Sequence, residues 1–166
     1  MSDPAAHPRV AHLIATLGLA PHPEGGRFRE IHRTDAIVRA DASRGDRHAL
    51  TVIYFLLAAG EVSRWHRVAS DETWHFHEGA ALELLVADPA LADVAVQRLG
   101  PFDEDAEPVR VVPAGQWQAA RGTGAYTLVS CVVAPGFEFA DFAMMRDEPA
   151  AADLIRRRHP RMATLI

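Results

Sequence analysis

The sequence predicts an all-β sandwich or barrel framed by a short helix at each end. Three observations carry this. Short runs rich in β-branched and aromatic residues recur through the middle of the chain, notably 50–57, 81–86 and 126–133. Turn-forming residues separate them. Apolar residues at helical spacing are confined to the two ends.

Bulk composition narrows the setting. A chain of 166 residues is one domain by size, and it is long enough to bury about 70% of its unfolded surface. With 17 Lys+Arg against 22 Asp+Glu the net charge is -5, which argues against a nucleic-acid partner, since such proteins carry a basic field. One cysteine excludes an internal disulfide and fits a reducing, cytoplasmic compartment. The start of the chain lacks the apolar core of a secretory signal, and no apolar run reaches 18 residues, so neither export nor a membrane partner is expected.

In order along the chain, residues 3–17 read as a helix. Val10, Leu13, Ile14 and Leu17 fall at i, i+3, i+4 and i+7. Asp3-Pro4 suits its start and Gly18 its end. The glycines and prolines of 20–26 make a fixed turn. Residues 27–33 read as an edge or partner-contacting strand, with Phe28 and Glu30 on one face. His22 and His32 read as surface or interface histidines. Residues 34–48 are polar and mixed, a loop of the kind that serves as a lid or partner contact.

Strands follow at 50–57, 81–86, 94–99, 109–112 and 126–133, with an acidic loop at 100–108. After the Pro135-Gly136 turn, Phe137 and Phe139 alternate against Glu138 and Phe142. Residues 148–158 form the second helix: Pro149 suits the first turn and three arginines its negative C-terminal end.

The richest stretch in chemistry is 60–79, GEVSRWHRVASDETWHFHEG. It lies between two apolar strands and concentrates histidines, carboxylates and tryptophans, which marks the wall of a pocket. If His66 faces inward on a regular strand, Arg64 and Val68 do too. On the following strand Glu72, Trp74 and Phe76 share one face and His75 and His77 the other. The pocket set is therefore His66, Glu72, Trp74 and Gln118, with Arg64 at the mouth. A bulge near Thr73 would bring in His75 instead. Cys131 reads as an inert buried strand residue, and Ser63 as a hydrogen-bonding wall residue.

This stretch resembles the first motif of the cupin superfamily. Gly60, His66, Glu72 and Gly79 sit at the motif spacing, with Val68 where a second histidine belongs. The second motif is matched by Pro113, Gly115 and then Gln118 in place of a histidine, with Glu107 replacing its leading glycine. More narrowly, the blocks 22–33, 63–79, 112–120 and 130–142 resemble cupin family 5, whose fold is similar to that of dTDP-4-dehydrorhamnose 3,5-epimerase. The resemblance implies a cupin jelly-roll β-barrel, with residues 1–20 a leading helix, 21–145 the jelly roll and 146–166 a closing helix and tail. It also implies a homodimer, pairing through the N-terminal strand region.

Metal-bearing cupins supply three histidines and a glutamate. Here His66, Glu72 and the amide of Gln118 would be the only ligands, a poor divalent set, so no cofactor is expected. Acid–base chemistry is the alternative. His66 would be the base and Glu72 its orienting partner, raising the imidazole pKa towards neutrality. Arg64, Trp74, His75 and Gln118 would contact substrate, and Tyr54 or Tyr126 would return the proton. The predicted activity is a metal-independent epimerase or isomerase acting on a carbonyl-bearing, sugar-like small molecule. The alternatives are a non-catalytic binder or sensor, and a metal-dependent cupin enzyme with a reduced ligand set.

Overall fold

The computed structural model describes residues 7–166. It consists of two six-stranded sheets packed face to face, with a helix on the outside of each. The first sheet has the order β1 (Ala20–Pro21), β2 (Arg27–Arg33), β5 (Thr51–Ala58), β13 (Tyr126–Ala134), β7 (Asp71–Gly79) and β11 (Val109–Val112). The second has the order β10 (Ala106–Glu107), β9 (Val94–Leu99), β8 (Leu82–Ala87), β12 (Trp117–Gly122), β6 (Val62–Val68) and β14 (Phe142–Met144). From β5 to β8 and again from β10 to β14 consecutive strands alternate between the sheets, the jelly-roll way of hiding most strand edges. A separate hairpin, β3 (Ile37–Asp41) and β4 (Gly45–His48), stands beside them.

The core lies between the sheets and follows strand alternation. Phe55, Leu57, Trp74, Leu84, Leu99 and Val129 point inward and are fully buried. Burial of each such side chain contributes about 2 kcal/mol. The outer face of the first sheet is partly covered by α1 (Pro8–Leu17), whose Val10 and Leu13 pack on Leu56, Ala58 and Leu128. Gly18 ends this helix in the left-handed conformation, φ 63°. Pro8, not Pro4, occupies its first turn; the Asp3-Pro4 start lies outside the described residues. The outer face of the second sheet is covered by α2 (Pro149–Arg158) and the 3₁₀ turn at Pro160–Leu165, which enclose Trp65 and Trp117.

Three local readings change in the fold. The 34–48 segment is a hairpin, because Asp41 accepts hydrogen bonds from the amides of Ser43 and Arg44 and closes a tight turn between β3 and β4. Residues 117–122, to which the sequence reading assigns no element, form the central strand β12, which pairs with both β6 and β8. The Phe137–Phe142 segment does not alternate as a strand. It coils into a 3₁₀ turn at Phe139–Asp141 before entering β14. Among the described residues, no helix is long and apolar enough to cross a membrane.

Candidate functional site

Register irregularities decide what faces the space between the sheets. On β12, Gln118 and Ala120 are two apart, while their partners on β6, His66 and Ser63, are three apart. The extra residue is a β-bulge. It turns Ser63 and His66 to the same interior side and removes Arg64 from it. Arg64 donates instead to the backbone carbonyl of Glu24 at 3.3 Å. A second bulge, on β2 at Ile31, brings Arg33 to the face of Phe28 and Glu30. The bulge on β7 falls at His77, beyond Phe76, and not near Thr73. Glu72, Trp74 and Phe76 therefore stay inward, and His75 stays on the outer face.

These residues surround a cavity of about 100 Å³. Its floor holds His22, Glu24, His66, Glu72 and Cys131, and its walls include Phe28, Phe55, Phe137, Phe139 and Phe142. Glu24 is the hub of the polar floor. Its Oε1 accepts a hydrogen bond from Ser63 Oγ at 2.8 Å. Its Oε2 lies 3.3 Å from His66 Nε2 and 3.4 Å from His22 Nδ1. The opposite ring nitrogen of His66, Nδ1, is 2.7 Å from the Arg64 carbonyl. A carbonyl only accepts, so Nδ1 carries the proton, and in the neutral ring Nε2 keeps its lone pair towards Glu24 and the cavity.

Glu24 reaches this position from the turn 22–26. Gly25 has φ 112°, and a Cβ there would lie 2.2 Å from the Val62 carbonyl oxygen. Only glycine allows the turn to press onto β6 so closely. The turn was legible in the sequence as punctuation, but its service as the carrier of a buried carboxylate was not. The dense polar word His22-Pro23-Glu24 between an apolar helix and two glycines was the available signal.

Glu72 stands across the floor. Its Oε2 accepts from Gln118 Nε2 at 2.6 Å, and Gln118 Oε1 accepts from Trp74 Nε1 at 3.0 Å. Indole N–H only donates, so the Gln118 oxygen must face Trp74 and its amide nitrogen must face Glu72. Trp74 and Gln118 thus lie behind Glu72 and orient it; neither lines the cavity. Tyr54 and Tyr126 are on the outer face of the first sheet, where Tyr126 donates to Glu78 at 3.0 Å and Tyr54 meets His77 edge-on. His75 is also on that face, with its Nδ1 buried and without a partner. His22, by contrast, is inside: its ring meets Phe28 edge-on at 4.5 Å.

Burial governs the charges. It pushes Glu24 up to about 7, against the nearby His22 charge and the Ser63 hydrogen bond. It raises Glu72, with His66 opposing and Glu24 reinforcing. It lowers His66 below the ordinary histidine range, and outweighs the opposite pull of Glu72. The expectation that a carboxylate lifts His66 towards neutrality is corrected here: desolvation of a ring that is 1% exposed is the larger effect. Cys131 lies beside Glu72 as a thiol, its pKa raised well above the usual value by burial and by both carboxylates.

The set expected from the sequence, His66, Glu72 and Gln118, does not fit a metal. Val68 offers no donor. The Gln118 oxygen is committed to Trp74, and an N–H, not a lone pair, faces Glu72. Among the described residues, no group of three or more His, Cys, Asp or Glu side chains is arranged to hold an ion.

Comparison with known proteins agrees with the architecture. Residues 11–145 match the family model described as "Cupin superfamily (DUF985)". A hypothetical protein from Leishmania major is 31% identical, with 94% of this chain and 95% of that one covered and a TM-score of 0.79. A protein from Shewanella oneidensis is 32% identical, with 93% and 94% covered and a TM-score of 0.80. Oxalate decarboxylase from Bacillus subtilis shares the fold alone: 15% identity, TM-score 0.58, covering 88% of this chain and 36% of that one. No curated protein matches the chain in sequence.

Proposed function

The chain belongs to the DUF985 branch of the cupin superfamily, and on that premise we propose that its inter-sheet cavity is a small-molecule site for metal-independent acid–base isomerisation of a carbonyl compound. The observation that carries this is the buried contact of His66 Nε2 with Glu24 Oε2 at the floor of an aromatic cavity. His66 takes the proton from the carbon next to the substrate carbonyl. The Arg64 carbonyl fixes the ring by its other nitrogen, and Glu24 balances the imidazolium that forms. Glu72, whose burial favours the neutral acid, is the group placed to donate a hydrogen bond to the carbonyl oxygen as it becomes an enolate. Return of that proton from His66 to the neighbouring carbon completes an isomerisation.

Proton exchange tests this directly. Small α-hydroxy ketones and keto sugars incubated with the protein in D₂O should gain deuterium next to the carbonyl, seen by loss of the proton NMR signal. His66→Ala should abolish the gain. Exchange that survives this substitution removes His66 as the base.

Binding without turnover is the second reading. The observation favouring it is that Tyr54 and Tyr126 lie on the outer sheet face, so the cavity offers no tyrosine acid of the kind expected from the sequence. In either case we take the working form to be a cytoplasmic homodimer. The exposed Ile31 and Ile37 near the N-terminal strands support the pairing, and the free Cys131 supports the compartment.

A further inference from the structure

The cavity is lined by four carboxyl groups, Glu24, Glu30, Glu72 and Glu138, against one guanidinium, Arg33. Arg33 is already spent. Its Nε and Nη2 donate to the two oxygens of Glu30 at 3.0 and 2.9 Å, its Nη1 to Glu138 at 2.7 Å, and Nη2 also to the Phe137 carbonyl at 3.1 Å. An incoming anion would have to displace two carboxylates to reach it.

Deeper in, Glu24 and Glu72 are 5% and 7% exposed. Among the described residues neither pairs with a lysine or arginine; Glu24 meets the two histidines and the Ser63 hydroxyl. A carboxylate has about four lone-pair sites, and Glu72 uses them for one amide hydrogen bond and a contact with the Cys131 thiol. Buried acceptor capacity of this kind is costly unless something fills it.

The walls have the same preference. Five phenylalanines line the cavity, and Phe137, Phe139 and Phe142 meet edge-to-face with ring centroids 5.1 to 6.1 Å apart. Aromatic faces attract cations, most strongly where water is excluded.

We propose that this cavity binds a small organic cation of the alkylammonium class, its positive head between Glu24 and Glu72 and its alkyl groups against the phenylalanines. This rests on the reading of the cavity as a ligand site; joined to the acid–base reading, it makes the substrate an amine-bearing carbonyl compound whose entry displaces the proton of Glu24 while Glu72 keeps its own.

Three isosteric probes test this on the full chain: choline, the neutral 3,3-dimethylbutan-1-ol and the anionic 3,3-dimethylbutanoate. Isothermal titration at pH 8 should show choline binding about tenfold tighter than the alcohol, with no detectable binding of the acid. Choline affinity should rise between pH 6 and pH 8, and that of the alcohol should not. The rise belongs to the carboxyl groups. Burial lowers the pKa of His22 and His66, which face Glu24 from its own turn and from β6, so they favour the neutral form. Cys131, across from it on β13, stays protonated. The Arg33–Glu30 pair on β2 and Glu138 sit at the mouth and are already matched.

Glu24→Gln and Glu72→Gln should each reduce the preference for choline over the alcohol. If a variant does not fold, the wild-type comparison still decides. Equal or tighter binding of the alcohol, or binding of the acid, overturns the cation proposal and leaves a ligand site standing. Binding of none of the three overturns both. A clear choline preference without deuterium exchange removes only the acid–base reading.

Discussion

Glu24 Oε2 lies 3.3 Å from His66 Nε2, while the other nitrogen of that ring, Nδ1, is 2.7 Å from the Arg64 carbonyl oxygen. The imidazole is thereby fixed in one tautomer with its lone pair towards a buried carboxyl. With Nδ1 protonated and His66 neutral, Nε2 keeps a lone pair free to take a proton, and the Glu24 carboxyl, raised by burial to about 7, stands beside it.

Nitrogen NMR should report this state. His66 should show a protonated Nδ1 and a bare Nε2, and it should remain neutral through pH 6, because burial holds its pKa below the ordinary histidine value. A ring that titrates near 6.5, or the opposite tautomer, contradicts the assignment.

Glu24 should make stability depend on pH with a definite sign. Its folded pKa, about 7, lies above the ordinary value of 4.5, so the folded state holds a proton that the unfolded chain has released. Its contribution is fully present below about pH 4.5, falls as pH rises towards 7 and is gone above. The total is on the order of 3 kcal/mol. His22 and His66 act in the opposite sense, losing stability as pH falls below 6.5. The comparison with Glu24→Gln separates the two. Urea unfolding from pH 5 to pH 8 should show wild type losing ground against the variant by up to that amount; a pH-independent difference would refute it.

Gly25→Ala should be severe. The new Cβ would meet the Val62 carbonyl oxygen at 2.2 Å, in a backbone conformation with φ 112° that L residues rarely adopt. We expect a loss of about 3 kcal/mol, read as a lower midpoint in urea. Any folded fraction should bind choline less well, because the turn that carries Glu24 must move. A variant with wild-type stability would show that the turn is looser than the contact implies.

Asp141 is expected to hold the cavity wall. Its carboxylate, 6% exposed, accepts from Arg44 and Arg47 at 2.8 to 3.1 Å and ties the β3–β4 hairpin to the 3₁₀ turn that begins at Phe139. These arginines hold its pKa at about 2. The contribution is present above the ordinary value of 3.8 and lost as pH falls towards 2. Asp141→Ala leaves two guanidinium groups partly buried and unmatched, at a cost of about 3 kcal/mol. Hydrogen exchange should then rise in residues 37–48 and 137–142 and stay unchanged in β7. Exchange that is unaltered in the hairpin would separate the clamp from the wall.

Much of the architecture was legible because it follows from local alternation. The apolar runs that became β5, β8 and β13 read as strands from residue type alone, and Gly18 and Pro149 mark helix ends by their backbone requirements. Motif spacing placed His66 and Glu72 on adjacent strands near the pocket. Strand alternation was also right for Glu72, Trp74 and Phe76, since the β7 bulge falls beyond them at His77.

What alternation alone could not locate were the bulges. Each depends on how two strands pair, which is a property of residues distant in the chain. The β6 bulge took Arg64 out of the cavity and turned Ser63 inward with His66. The β2 bulge brought Arg33 in. Trp74 and Gln118 became supports because the indole N–H found the glutamine oxygen across the core. Glu24, His22 and the phenylalanines of 137–142 reached the site from segments that look like turns. The sequence by itself determined a cupin fold and the one histidine and one glutamate of its first motif. Tertiary structure alone decided that a second glutamate stands against that histidine, because desolvation and contact arise only when 24, 66 and 72 are packed together.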